Sequence, residues 1–190
     1  MKVGIVGVQG AVSEHESAVE SLGHVPVWVT TPASLDGVSA LIIPGGESTT
    51  IGKLLQTAGL FQKIQEMGRE GLPIFGTCAG LILLAKKGDA QVASTGQKLL
   101  GLMDTAISRN AFGRQRESFE AMLEIKGVAA DFPCVFIRAP AILKTWGACR
   151  PLVTYHGVVV AAEQGNLLAT AFHPELTQDT RLHEYFLSKA

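Results

Sequence analysis

Short apolar, β-branched runs recur along the first half of the chain, at Val3 to Val8, Val25 to Val29, Ala40 to Ile43 and Pro73 to Phe75, and helix-compatible stretches follow most of them. Strands alternating with helices call for a parallel sheet covered by helices on both faces. The first helix is read from Ala11, Val12, Ala18, Val19 and Leu22, with polar residues between them and Gly23 placed to end it. Leu60, Phe61, Ile64 and Met67 repeat the pattern at three- and four-residue steps. After Gly88 the pattern changes to shorter strands with little helix between them, until an amphipathic segment from Thr180 to Leu187. The expectation is a three-layer α/β fold whose parallel sheet carries an antiparallel extension. No repeat, low-complexity tract or linker divides the chain, so residues 1–190 are expected to form one domain.

Charge narrows the partners. Charged residues are only 17% of the chain and the net charge is −1, which leaves no electrostatic footprint for a polyanion. Nucleic acid and anionic membranes are therefore not expected partners; a small molecule or another protein is. Cys78, Cys134 and Cys149 are odd in number and widely spaced, which suits neither a disulfide framework nor a zinc site and points to a reducing cytoplasm. The apolar run near the N-terminus is too short for a signal-peptide core, and the uncharged, largely apolar stretch of 14 residues from Leu72 to Ala85 is too short to span a bilayer. Gly4, Gly7 and Gly10 are spaced Gly-x-x-Gly-x-x-Gly, not the Gly-x-Gly-x-x-Gly of a dinucleotide site, so no nicotinamide or flavin cofactor is expected.

The chemistry centres on Gly76-Thr77-Cys78-Ala79-Gly80, between the strand run ending at Phe75 and a helix-compatible Leu81 to Leu84. This is the spacing of a nucleophile elbow with sulfur in place of the serine hydroxyl. The turn leaves no room for flanking side chains and aims the thiol at the N-terminus of the following helix, which favours the thiolate. The five residues alone also suit a buried structural cysteine. A cysteine nucleophile needs a base, and the base an orienting partner. Of five histidines, His15, His24, His156 and His183 read as ordinary surface or core residues. His173 differs, because it ends the strand run Leu167 to Phe172 and is followed at two residues by Glu175, with Pro174 restricting the backbone between them. Pro44-Gly45-Gly46-Glu47-Ser48 follows the strand run Ala40 to Ile43, and its paired glycines let backbone N–H groups approach a ligand. Ligands of open parallel sheets sit beyond the carboxyl ends of the strands, which places Gln9, this turn and Cys78 along one rim.

Together these segments resemble the class I (triad) glutamine amidotransferases, whose fold is flavodoxin-like, and within them the PdxT/SNO family of glutaminase subunits of pyridoxal 5'-phosphate synthase. The resemblance rests on Gly7-Val8-Gln9-Gly10 with Glu14-His15, Pro44 to Thr49, Gly76 to Gly80, Arg109-Asn110-Ala111-Phe112-Gly113-Arg114-Gln115, Ser118-Phe119-Glu120, Phe136-Ile137-Arg138-Ala139-Pro140 and Phe172 to Leu176. It implies a Cys78, His173, Glu175 triad that hydrolyses L-glutamine to glutamate and ammonia. It further implies an oxyanion hole from Ala79 and the Gly45-Gly46 turn, and substrate contacts from Gly46, Glu47, Ser48, Arg109, Ile137 and Arg138. A guanidinium at Arg109 suits the α-carboxylate of glutamine; the cluster Arg109, Arg114 and Arg116 equally suits a solvated basic loop. No cofactor or metal is implied. The implied partner is the synthase subunit, a (β/α)8 barrel that consumes the ammonia, in an assembly of twelve synthases and twelve glutaminases. The same triad would serve an amidotransferase of another pathway, and a silent regulatory subunit on this scaffold is a third reading.

Overall fold

A computed structural model of the chain describes residues 1–109 and 118–190. The first part alternates strands with helices, except that only a 3-10 turn (Pro32–Leu35) separates β2 from β3 and two helices follow β3: β1 (Lys2–Val6), α1 (Val12–Ser21), β2 (Val25–Val29), β3 (Ala40–Ile43), α2 (Ser48–Thr57), α3 (Leu60–Arg69), β4 (Ile74–Thr77) and α4 (Ala79–Leu84). The second part is strand-rich: β5 (Ala85–Lys87), α5 (Ala90–Ser94), β6 (Met103–Ser108), β7 (Ser118–Ile125), β8 (Ala129–Ile137), β9 (Ala141–Thr145), β10 (Arg150–Tyr155), β11 (Val158–Gln164), β12 (Leu167–Thr170) and α6 (Arg181–Leu187). Among the described residues the main sheet runs β2-β1-β3-β4-β12-β11-β9-β6-β5, with β10 added on β11, while β7 and β8 pair separately. Strands β2, β1, β3, β4 and β12 are mutually parallel, and β11 and β9 continue the sheet antiparallel. This is the parallel sheet with antiparallel extension that the alternation predicts.

The order reverses at β1, since β2 lies on one side of it and β3 on the other. Right-handed crossovers then send α1 to one face and α2 and α3 to the opposite face. The pleat of β4 displays both layers. Phe75 packs against Phe186 and His183 of α6 and His15 of α1, with ring centroids 5.4, 5.8 and 6.4 Å away. The preceding Ile74 points the other way, its Cδ1 3.0 Å from where a Cβ on Gly68 of α3 would stand. The core strands β3, β4 and β12 are buried at every residue, as expected of central strands covered on both faces.

Element boundaries shift modestly from the sequence reading. β1 stops at Val6, and the N–H of Gly7 still bonds the Val29 carbonyl at 2.9 Å, so the chain leaves the sheet two residues before the apolar run ends. α1 ends at Ser21, and Gly23 takes a left-handed φ of 77° just beyond it. Among the described residues no helix is long and apolar enough to cross a membrane. The carboxyl ends of β1, β3, β4 and β12 converge on one rim, where the chain places Gln9, the Pro44 to Ser48 turn, Cys78 and His173.

Candidate active site

Cys78 follows β4 directly and caps the N-terminus of α4 with φ 48° and ψ −95°, in a region that non-glycine residues rarely occupy. Such a residue costs about 1–3 kcal/mol and persists only where its surroundings over-determine it. Three contacts do so. The Cys78 N–H donates to the Thr170 carbonyl of β12 at 2.7 Å. A Cβ on Gly76 would stand 2.5 Å from the carbonyl carbon of Gly80, and a Cβ on Gly80 would stand 2.2 Å from the carbonyl oxygen of Ile43 in β3. Both glycines are thus required by close backbone approach. Ala79 begins α4, so its N–H has no partner within the helix.

His173 lies three residues past β12, and its N–H donates to the Val135 carbonyl of β8 at 2.8 Å. Its Nδ1 is 2.8 Å from Oε1 of Glu175, which sits buried in a short 3-10 turn, Pro174–Leu176. That leaves Nε2 available to the Cys78 thiol, which stands beside the ring against the same Gly45 backbone. Burial disfavours a charged imidazole here, but the bonds and charges of Cys78 and Glu175 outweigh it and push His173 up to about 10. Burial likewise opposes ionisation of Glu175; the field of His15 facing its outer oxygen, and the bond to and charge of His173, prevail and lower it. The Gly45 backbone packs under this imidazole, since a Cβ there would stand 2.4 Å from Cε1 of His173.

Cys78 and His173 open on a cleft of about 500 Å³. All six residues expected at the substrate, Gly46, Glu47, Ser48, Arg109, Ile137 and Arg138, line it, and Glu175 stands behind His173, outside the lining. Glu47 caps α2, accepting from the N–H groups of Thr49 and Thr50 at 3.1 and 2.7 Å and from the Thr50 hydroxyl at 2.7 Å. These bonds outweigh its partial burial and hold the carboxyl down at about 2. Arg109 donates to Oε1 of Glu47 at 2.9 Å and to the Thr49 hydroxyl at 3.2 Å. Its own N–H is anchored at 2.8 Å to Asp89, whose other oxygen caps α5. Arg109 is therefore a fixed part of the cleft wall rather than a solvated loop residue. Arg114, Arg116 and the rest of the Arg109 to Gln115 motif lie outside the described residues. The Ser48 hydroxyl donates to Gln97 at 3.2 Å, and Arg138 takes a strained φ of 42°. The Gly45 carbonyl accepts from the Ala11 N–H at 3.3 Å, while the Glu47 N–H donates to Oε1 of Gln9 at 3.1 Å.

Ile82 and Pro140 also line the cleft, and sequence reasoning did not assign either to the site. Ile82 lies four residues after Cys78, one helical turn on, which is the signal that identifies it. His183, read as a surface or core histidine, is a core one: it is 1% exposed and bonded to a fully buried His15 at 3.0 Å. Among the described residues no group of three or more His, Cys, Asp or Glu side chains is disposed to hold a metal ion.

Comparison with known proteins places this arrangement among relatives. The profile of the SNO glutamine amidotransferase family matches residues 5–190. The chain is 52% identical over 197 residues to the pyridoxal 5'-phosphate synthase subunit PdxT of Thermococcus onnurineus, covering all of this chain and 99% of that protein. It is 50% identical over 195 residues to PdxT of Methanosarcina mazei, covering all of this chain and 98% of that one. A crystal structure described as a glutamine amidotransferase superposes with TM-score 0.92 at 44% identity, covering 98% of this chain and 97% of the other. A glutamine amidotransferase of Thermotoga maritima shares the fold at TM-score 0.65 and 15% identity, over all of this chain and 83% of its own.

Proposed function

Because the chain belongs to the SNO glutamine amidotransferase family, we propose that it is the glutaminase subunit of a pyridoxal 5'-phosphate synthase, working through Cys78, His173 and Glu175. The observation that carries this reading is the alignment of the three side chains: Cys78 and His173 share the cleft, and Nδ1 of His173 is bonded at 2.8 Å to the buried carboxylate of Glu175.

The imidazole holds a proton readily, so it can take the proton of the Cys78 thiol as the sulfur attacks. The sulfur attacks the side-chain amide carbon of L-glutamine and forms a C–S bond. The amide oxygen takes the negative charge against backbone N–H groups, for which Ala79 and the Gly45-Gly46 turn are the candidates. Collapse breaks the C–N bond as His173 gives its proton to the departing nitrogen, releasing ammonia and leaving a γ-glutamyl thioester. His173, now neutral and held in one tautomer by Glu175, takes a proton from water, which attacks the thioester and releases glutamate. In the cleft the ionised Glu47 suits the α-ammonium of glutamine and Arg109 its α-carboxylate, with Gly46, Ser48, Ile137 and Arg138 completing the contacts.

Ammonia released into water is protonated and lost as a nucleophile, so the reaction is useful when the chain is docked on a synthase subunit in the cytoplasm. Twelve of each subunit is the assembly we propose. Glutamate formation by the wild type and by Cys78→Ala, each with and without the synthase, tests the reading. Activity that requires both Cys78 and the synthase is expected. Cys78-dependent turnover indifferent to the synthase would move the chain to another amidotransferase pathway, and no turnover in any condition would make it a silent subunit.

A further inference from the structure

The far side of Glu175, away from the cleft, holds two buried histidines that the reaction above does not use. Oε2 of Glu175 has no hydrogen-bond partner within ordinary reach, and neither has Nδ1 of His183. Between them stands His15, with Nδ1 3.0 Å from Nε2 of His183, and Nε2 3.2 Å from the Thr77 hydroxyl and 3.6 Å from Oε2 of Glu175. α1, α6, the residue before the nucleophile and the carboxylate of the triad therefore meet at one ring.

Only one placement of the two imidazole protons suits this geometry. A proton on Nδ1 of His15 would be donated to His183, aim the bare Nε2 lone pair at the Glu175 carboxylate, and strand the remaining N–H of His183 without an acceptor. A proton on Nε2 instead points at Thr77 and Oε2 of Glu175, while Nδ1 accepts from Nε2–H of His183, and only a lone pair on His183 goes unbonded. Both rings are neutral in this arrangement. Burial pushes His183 down to about 3, assisted by His15, and burial also lowers His15 against the pull of Glu175.

We propose that His15, its tautomer fixed by His183, is a positioning residue that holds the outer oxygen of Glu175 so that the inner oxygen stays aligned on His173. The inference rests on the triad reading above. Glu175 is bonded through its inner oxygen to His173 and faced at 3.6 Å on its outer oxygen by the His15 N–H, and the ionisable groups around it are His173 in its own turn, His15 with Glu14 behind it on α1, His183 on α6, and Cys78 beyond His173. Removing His15 takes away the N–H dipole that faces the buried outer oxygen, so the carboxylate takes up a proton at higher pH than in the wild type. The acid side of the rate profile, where Glu175 ceases to orient His173, moves upward accordingly.

The experiment is the pH dependence of kcat and KM for glutamine in the full complex with the synthase, for the wild type, His15→Leu and His15→Gln, with Cys78→Ala and Glu175→Gln alongside. His15→Leu is expected to lower kcat on the order of tenfold, to leave KM unchanged and to shift the acid limb upward. His15→Gln, whose amide N–H reaches toward the same oxygen, is expected to recover most of both. Wild-type kcat and acid limb in His15→Leu, or His15→Gln no better than leucine, would overturn the role of His15 alone, provided Cys78→Ala and Glu175→Gln are inactive. Activity in either of those two would remove the triad itself and this inference with it. Nitrogen NMR of the wild-type rings does not depend on how the variants fold: a neutral His15 protonated on Nε2 supports the proposal, and a proton on Nδ1 or a charged ring overturns it.

Discussion

Gly80→Ala is the substitution for which the elbow makes the least intuitive demand. Gly80 lies inside α4 without a left-handed φ, so helix propensity alone favours alanine by about 1 kcal/mol. The new methyl carbon, however, would stand 2.2 Å from the Ile43 carbonyl oxygen, where a carbon and a carbonyl oxygen ordinarily approach to about 3.3 Å. Relief requires a displacement of about 1 Å. Both sides of the clash are backbone, and Ile43 belongs to a fully buried central strand, so no side chain can rotate away. Overpacking of this kind costs about 3 kcal/mol or more, and the net loss after the propensity gain is about 2 kcal/mol. A chain of this length then melts about 4–8 °C lower. Moving α4 also moves Cys78 against His173, and a shift of about 1 Å in a reacting group costs about 100-fold in rate. The control is Gly52→Ala in α2, where the added carbon would meet Leu83 at 3.4 Å, an ordinary contact, and the expected change is a gain of up to about 1 kcal/mol. Thermal melts and glutaminase assays of both variants with the synthase test the pair. Gly80→Ala melting at or above the wild type with full kcat would show that close approach to β3 does not set the elbow.

Arg109→Ala should raise KM for glutamine by about 10–100-fold with a smaller effect on kcat, and Arg109→Lys should recover little because the fork is lost; an unchanged KM removes Arg109 from the site. The raised His173 pKa makes stability depend on pH: the contribution is complete below the unfolded imidazole range near about 6.5 and is lost as pH rises towards about 10. Urea midpoints measured across that window should fall with rising pH in the wild type, and in Cys78→Ala the fall should come at lower pH, because one of the interactions raising His173 is gone. Burial pushes Cys134 up to about 12, and burial with Asp104 and Glu163 pushes Cys149 up to about 11. Brief alkylation of the native protein at neutral pH should therefore modify Cys78 alone, and mass spectrometry finding equal labelling at Cys134 would contradict that. Cys134→Ser and Cys149→Ser should keep full activity.

The parallel half of the fold was legible in the chain because its signals are local: the apolar runs are short and β-branched, and most are followed by helical spacing. The elbow was legible for the same reason, since Gly76 and Gly80 flank Cys78 within five residues and each answers to a contact a side chain would destroy. The order of the antiparallel extension was not legible. β9 pairs with β6 and β11, and β12 returns beside β4, and those pairings depend on long-range register that no local pattern encodes. Arg109 was ambiguous between a ligand and a solvated loop because the deciding contacts, Glu47 and Asp89, lie 62 and 20 residues away. His15 and His183 read as ordinary residues for a related reason, since their meeting requires α1 and α6, 168 residues apart, to pack on the same face of β4.

Register also explains how residues so distant in sequence act as one machine. β4 and β12 are parallel neighbours with Thr77 opposite Thr170, so the nucleophile begins one residue past the last pair of one strand and the base three residues past the last pair of the other. The bond from the Cys78 N–H to the Thr170 carbonyl closes that ladder at the strained residue itself. A register slip of one residue would turn Phe75 from α1 and α6 toward α3 and break the packing on both faces, so it is strongly opposed. The strain at Cys78 and the alignment of His173 therefore share one cause, the buried pairing of two strands. Substitutions that loosen that pairing should lower thermal stability and catalytic rate together, whereas substitutions in the cleft wall such as Arg109→Ala should change KM and leave the melting temperature nearly unmoved.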